Sequence, residues 1–234
     1  MKNFTLFCAA TLVSGSACAV PITETFTYVD GDLVGNGGWT NISGSGDLIQ
    51  VVSGQAVLSH GGGSREDLGL PLGFDFTTGT VTASFDLIVT DDSAISGSDS
   101  EYFAHFSNAG SSSSFVARLD VVPGGSGGDY SLGISTISST AEATLPVDFT
   151  FGVTVPVELT FDLDAGLADL TVGTDSVAST TVSTGETINM FNLRQSNSSS
   201  DETITIDNLS IVPEPGSAIL AGLGAVAMLR RRSA

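Results

Sequence analysis

From Val81 to Val89 every second residue is apolar: Val81, Ala83, Phe85, Leu87 and Val89 alternate with Thr82, Ser84, Asp86 and Ile88. A period of two belongs to a strand with one buried face, and no helix presents it on one side. The alternation returns in Phe115/Ala117/Leu119/Val121, in Val147/Phe149/Phe151/Val153/Val155, and in Val157/Leu159/Phe161/Leu163 opposite Glu158, Thr160, Asp162 and Asp164. Residues 22–28, 48–52, 55–60, 102–107, 130–137, 170–173, 188–194 and 203–212 read as further strands. No window outside the two ends carries a helical period of useful length. Gly/Ser/Asp clusters such as Gly61-Gly62-Gly63-Ser64 and Gly124-Gly125-Ser126-Gly127-Gly128 separate the runs. About a dozen short strands in one chain predict an all-β fold, a two-sheet antiparallel jelly-roll sandwich over residues 20–212. In the last strand Ile204 and Ile206 share one parity and Leu209 and Ile211 the other. One extra residue near Asp207-Asn208 restores inward pointing, so a β-bulge is predicted there, with Asp207 as an oxygen ligand or a turn anchor.

The two ends differ from this body. Residues 1–19 combine Lys2, an apolar stretch from Phe4 to Val13 and the small residues Ala17-Cys18-Ala19, the three regions of a secretory signal peptide. Cleavage is expected after Ala19, with Ala17 and Ala19 as the small residues read by the peptidase and Val20 as the new N-terminus. Both cysteines, Cys8 and Cys18, lie in this leader. The mature chain then has no thiol, which excludes disulfides, thiolate zinc sites and a cysteine nucleophile together.

Charge narrows the function further. The chain has 26 Asp and Glu against 7 Lys and Arg, a formal net charge of −19. Only Glu214 of those acids lies beyond Val212, so the body carries 25, against Arg65, Arg118 and Arg194 and no lysine. Nucleic acid is excluded as a partner, because affinity for phosphates needs clustered cations. Such a surface attracts divalent cations instead.

At the C-terminal side, Val212-Pro213-Glu214-Pro215-Gly216 leads into residues 217–229, which hold no charged side chain, and then Arg230, Arg231 and Arg232. The prolines are expected to stop the last strand and form a stiff spacer. As a helix, residues 217–229 reach about 20 Å, short of the roughly 30 Å hydrocarbon core. This implies transient membrane anchoring, and the arginines would keep that end cytoplasmic and the acidic body outside. The order Pro-Glu-Pro, short apolar segment, arginine cluster, together with a leader, resembles the PEP-CTERM sorting signal of bacterial exosortase substrates. The resemblance implies that Pro213, Glu214 and Pro215 are recognised by exosortase, a membrane-embedded cysteine protease, after passage through the secretion translocon. Arg230 to Arg232 would be the stop-transfer cluster of a 213–234 sorting segment. The destination it implies is the cell surface or extracellular matrix of a Gram-negative-type bacterium.

The body resembles concanavalin A-like, laminin-G-like sandwiches. The likeness rests on Phe26-x-Tyr28 followed by Asp32-Leu33-Val34-Gly35-Asn36-Gly37-Gly38-Trp39, on Tyr102-Phe103, on Asn192-Leu193-Arg194-Gln195 and on Ile204-Thr205-Ile206-Asp207-Asn208-Leu209. Sandwich glycosidases of that kind place two glutamates two to four residues apart on one strand, and no two mature glutamates here lie within five residues of each other. Asp162 and Asp164 would share a strand face about 6.6 Å apart, as solvent-side charges entering a hairpin. His60, His105, Tyr102 and Arg118 are the remaining material for a lyase. We assign no catalytic residue, and expect a non-enzymatic protein. The resemblance also implies a structural calcium ion near the terminal strands, held by Asp207 with Asp30 and Asp32. A calcium-dependent module binding extracellular polysaccharide is the alternative, with Trp39 as either a sugar platform or a loop plug.

Overall fold

A computed structural model describes residues 21–46, 48–60, 66–90, 101–109, 114–125, 127–195 and 202–214. Ala17, Ala19, Val20, Pro215, the 217–229 segment and Arg230 to Arg232 lie outside the described residues. In chain order the strands are β1 (Ile22–Glu24), β2 (Gly31–Asp32), β3 (Thr40–Gly44), β4 (Gln50–Val52), β5 (Gln55–Ser59), β6 (Glu66–Phe76), β7 (Thr80–Thr90) and β8 (Glu101–Ser107). They continue with β9 (Phe115–Pro123), β10 (Tyr130–Ser135), β11 (Ala143–Thr144), β12 (Val155–Asp162), β13 (Leu167–Val172), β14 (Asp175–Ala178), β15 (Ile188–Arg194) and β16 (Thr203–Glu214). There is no helix among the described residues.

Two antiparallel sheets form, as the alternation requires. One has nine strands in the order β14-β13-β12-β7-β16-β5-β4-β2, with β1 also pairing β16; the other has seven, β11-β10-β9-β8-β15-β6-β3. In β7 the buried residues are Val81, Ala83, Phe85, Leu87 and Val89, and in β12 they are Val155, Val157, Leu159 and Phe161, each separated by a less buried neighbour. Phe191 of β15 ties the layers together, packing on Phe106 of its own sheet and on Phe85 of the opposite one. Burying a large aromatic side chain removes some 150–250 Å² of apolar surface from water, so such contacts dominate the core.

The bulge in β16 is present. Register with β7 shifts between Asp207 and Ser210, and Asn208 adopts φ 53°. Asparagine tolerates that left-handed conformation better than most residues. The shift buries both Ile204/Ile206 and Leu209/Ile211 despite their opposite parity.

Three expectations change. Residues 147–154 are not a strand: Phe149 makes an isolated bridge to Tyr130, and Gly152, at φ 76°, turns the chain before β12. Their aromatic pattern has another cause, because Phe149 and Phe151 both pack on the Tyr130 ring. Asp164 does not share a strand face with Asp162; β12 ends at Asp162, whose Oδ1 accepts the Asp164 and Ala165 N–H groups at 2.9 and 2.8 Å. Third, β16 runs through Pro213 to Glu214, two residues past the stop expected from the prolines.

Candidate functional site

The outer face of the seven-stranded sheet is where polar chemistry collects. Asn192 of β15 pairs with His105 of β8, and Met190 with Ser107, which places the four on the face opposite Phe191 and Phe106. On β9 a positive φ of 52° at Ala117 breaks the simple alternation. Phe115 and Arg118, three residues apart, thereby come to one face, with the guanidinium 5.6 Å from the Phe115 ring. Arg118 also lies 4.7 Å from the Tyr102 ring centroid and Arg194 of β15 4.2 Å from it. Two guanidiniums thus hold one tyrosine by cation–π contact. Arg194 reaches Asp67 at 3.8 Å and Glu101 at 3.6 Å, so its charge is shared with two carboxylates.

Beside this cluster a cavity of about 580 Å³ is lined by Asp67, His105, Ser107, Asn108, Phe115 and Asn192, among others. His105 is 2% exposed, and its ring lies 5.5 Å from Tyr102 and 4.7 Å from Phe115. Burial, then the charges of Arg118 and Arg194, push its pKa down to about 3, so the imidazole is neutral at physiological pH. Its Nδ1 has no hydrogen-bond partner among the described residues. Asn192 and Ser107 satisfy one another, with Asn192 Nδ2 donating to Ser107 Oγ at 2.6 Å. A neutral imidazole, an amide, hydroxyls and a carboxylate around one cavity can donate to and accept from a polyhydroxylated ligand.

Of the lyase material named above, Tyr102, His105 and Arg118 meet here, whereas His60 does not. His60 is buried 3.8 Å from Glu202 Oε1, and burial, helped by Arg194, lowers its pKa to about 3. Arg194, Asn192, Phe115 and Asp67 were not linked to the site by sequence. Arg194 stood out as one of three arginines in the body and, with Asn192, within the Asn192-Leu193-Arg194-Gln195 likeness, but neither signal gave it a place on this face.

The remaining candidates take structural positions. Trp39 is fully buried, stacked 6.2 Å from Phe26 and edge-on to Phe191, with Nε1 donating to Glu24 Oε2 at 3.3 Å. It offers no ring face to a sugar. Asp30 Oδ1 accepts from Ser53 N–H at 2.8 Å and so caps the β4–β5 hairpin. Asp32 Oδ1 accepts from Gln50 Nε2 at 2.7 Å, and Asp207 Oδ1 from Asn208 N–H at 2.7 Å within the bulge. Among the described residues no group of three or more His, Cys, Asp or Glu side chains converges in the manner of a metal site. Pro213 is buried in β16 opposite Val81, and Glu214 is exposed opposite Thr80.

Residues 212–233 match the PEP-CTERM protein-sorting motif. The chain carries a PEP-CTERM sorting signal. Such a motif implies export and processing by exosortase. No curated protein matches the chain. Among solved structures it is similar to peanut lectin, at 15% identity over 84% of this chain and 98% of that one, with a TM-score of 0.55. It is similar also to lectin UEA-II complexed with galactose, at 13% identity over 84% and 99%, TM-score 0.54. A third likeness, to a sialidase, has 12% identity and covers 81% of this chain and 19% of that one, TM-score 0.53. At these identities the likeness establishes a legume-lectin, concanavalin A-like sandwich fold and nothing of the ligand.

Proposed function

We propose that this PEP-CTERM protein is an exported, non-enzymatic component of the cell surface or extracellular matrix that binds extracellular polysaccharide on the seven-stranded sheet. The observation that carries the binding reading is the 580 Å³ cavity on this face, lined by the neutral His105 with Asp67, Ser107, Asn108 and Asn192. Cavities of roughly 300–1,000 Å³ suit small ligands and single sugar units. The fold shared with a lectin crystallised with galactose supports the same reading.

Detergent-solubilised full chain applied to a glycan array and to immobilised polysaccharides tests this. Retention of at least one polysaccharide is expected, weakened about tenfold or more by His105→Gln with Asn108→Ala, which corresponds to about 1.4 kcal/mol. Undiminished retention by the double variant would remove the cavity from the reading. Release of reducing sugar or unsaturated products from a retained polymer would defeat its non-enzymatic part.

A further inference from the structure

The head of the sorting motif is part of the sandwich. β16 pairs with β7 through Val212↔Thr82, Pro213↔Val81 and Glu214↔Thr80, and Pro213 is buried. Proline is tolerated in a strand where one edge is open. β1 covers the other edge of β16 only as far as Ile22↔Ile211, so Pro213 lies past that pairing. Because β1 runs antiparallel to β16, Ile22 and Glu214 mark the same end of the nine-stranded sheet, beside Thr80 and its second partner Asp162. Only Pro215 and Gly216 separate Glu214 from the apolar residues 217–229. Three inter-residue steps at 3.3–3.6 Å each allow at most about 11 Å between the sheet and that segment.

Proteases take their substrates as extended segments whose backbone groups are free to pair with the enzyme, and strand-paired bonds reach that state only by local opening. We propose that the folded sandwich sets the processing point. Pairing with Thr82, Val81 and Thr80 closes the bonds joining residues 212, 213 and 214, so a membrane-embedded protease acts at the bond that follows Glu214 or beyond it. The amide broken there passes its acyl group to water or to an acceptor amine, and the tail leaves with a protonated amine. The product keeps Pro213 and Glu214 as the last residues of a central strand. The end of the sheet bearing Ile22, Thr80, Asp162 and Glu214 is the surface that faces the protease and the bilayer. This inference rests on the sorting reading for its enzyme, but the protection it requires belongs to the fold alone.

Hydrogen exchange on the full chain in detergent tests that protection. The Val212 and Glu214 amides are expected to exchange at least a hundredfold more slowly than in a free peptide of residues 207–220. Exchange at the peptide rate overturns the inference. In cells carrying an exosortase, the mass of the processed product is expected to place its C-terminus at Glu214 or later, and a product ending at Pro213 or before overturns it. A four-residue Gly-Ser insertion between Val212 and Pro213 lifts the motif off the sheet and is expected to restore fast exchange at Glu214. A chain left unprocessed in those cells would defeat the sorting reading, with the exchange data still deciding this one.

Discussion

The two sheets share a core, yet their outer faces follow different rules. On the nine-stranded sheet the outward residues of β7 and β12 are mostly polar, Thr80, Thr82, Ser84, Asp86, Thr90, Glu158, Thr160 and Asp162 with Ile88 and Pro156 among them, and all are partly or fully exposed. Burial alternates there as cleanly as the sequence does. On the seven-stranded sheet β10 is buried at all six positions and β8 at five of seven, including His105 and Ser107. The lesson concerns cost. An exposed polar residue is solvated and needs no partner, whereas a buried one destabilises unless it is paired or reserved for a ligand. A face that keeps buried polar groups around a cavity is therefore the face to associate with binding.

Acid should break the contrast most strongly. His60 and His105 have folded pKa values of about 3, below the ordinary value of 6.5. Between those values the unfolded chain binds protons that the folded chain does not, so stability is complete above about pH 6.5 and falls as pH drops toward 3. The melting temperature is expected to fall by roughly 10 °C or more from pH 7 to pH 4. His105→Gln should flatten that slope, and an unchanged slope would mean that the imidazole is not buried as described. Next in size, Phe191→Ala removes the ring joining both layers, and urea titration is expected to show a loss of about 3–5 kcal/mol. Asn192→Ala strips the buried Ser107 of its partner at a cost of about 1–3 kcal/mol, read by the same titration. Thr160→Ala, which deletes a 2.9 Å hydroxyl contact with Thr82 on the solvated face, should cost less than about 1 kcal/mol. If the last two effects prove equal, the distinction between the faces fails.

Much of the sandwich was legible because burial on one face writes itself into the sequence as alternation. β7, β12 and the bulge of β16 follow from parity alone. β6 was not legible: no strand was read between residues 60 and 81, yet Glu66–Phe76 forms one through Gly69, Pro71 and Gly73. The physical reason is pairing, since β3 covers β6 only up to Gly69, and Pro71 sits where that edge is free. The run from Val147 to Val155 misled in the opposite sense, because its phenylalanines serve the Tyr130 ring rather than a ladder. The cavity was invisible in sequence for a topological reason. Its walls come from β3, β6, β8, β9 and β15, and the positive φ at Ala117 that brings Phe115 beside Arg118 contradicts the alternation read there. Asp30, Asp32 and Asp207, read together in the sequence, each accept a hydrogen bond of their own, from Ser53, Gln50 and Asn208 respectively.

The place of β16 bears on timing. It is the last strand in chain order, yet it lies between β7 and β5 in the nine-stranded sheet and also carries β1. A chain emerging from its N-terminus can form hairpins such as β4–β5 and β12–β13 as they appear. The nine-stranded layer cannot close until residues 203–214 have emerged. Long-range strand pairing of this kind is slow compared with hairpin formation. Three of the residues that complete this layer, Val212, Pro213 and Glu214, already belong to the sorting motif, so the end of the fold and the start of the signal are one stretch of chain.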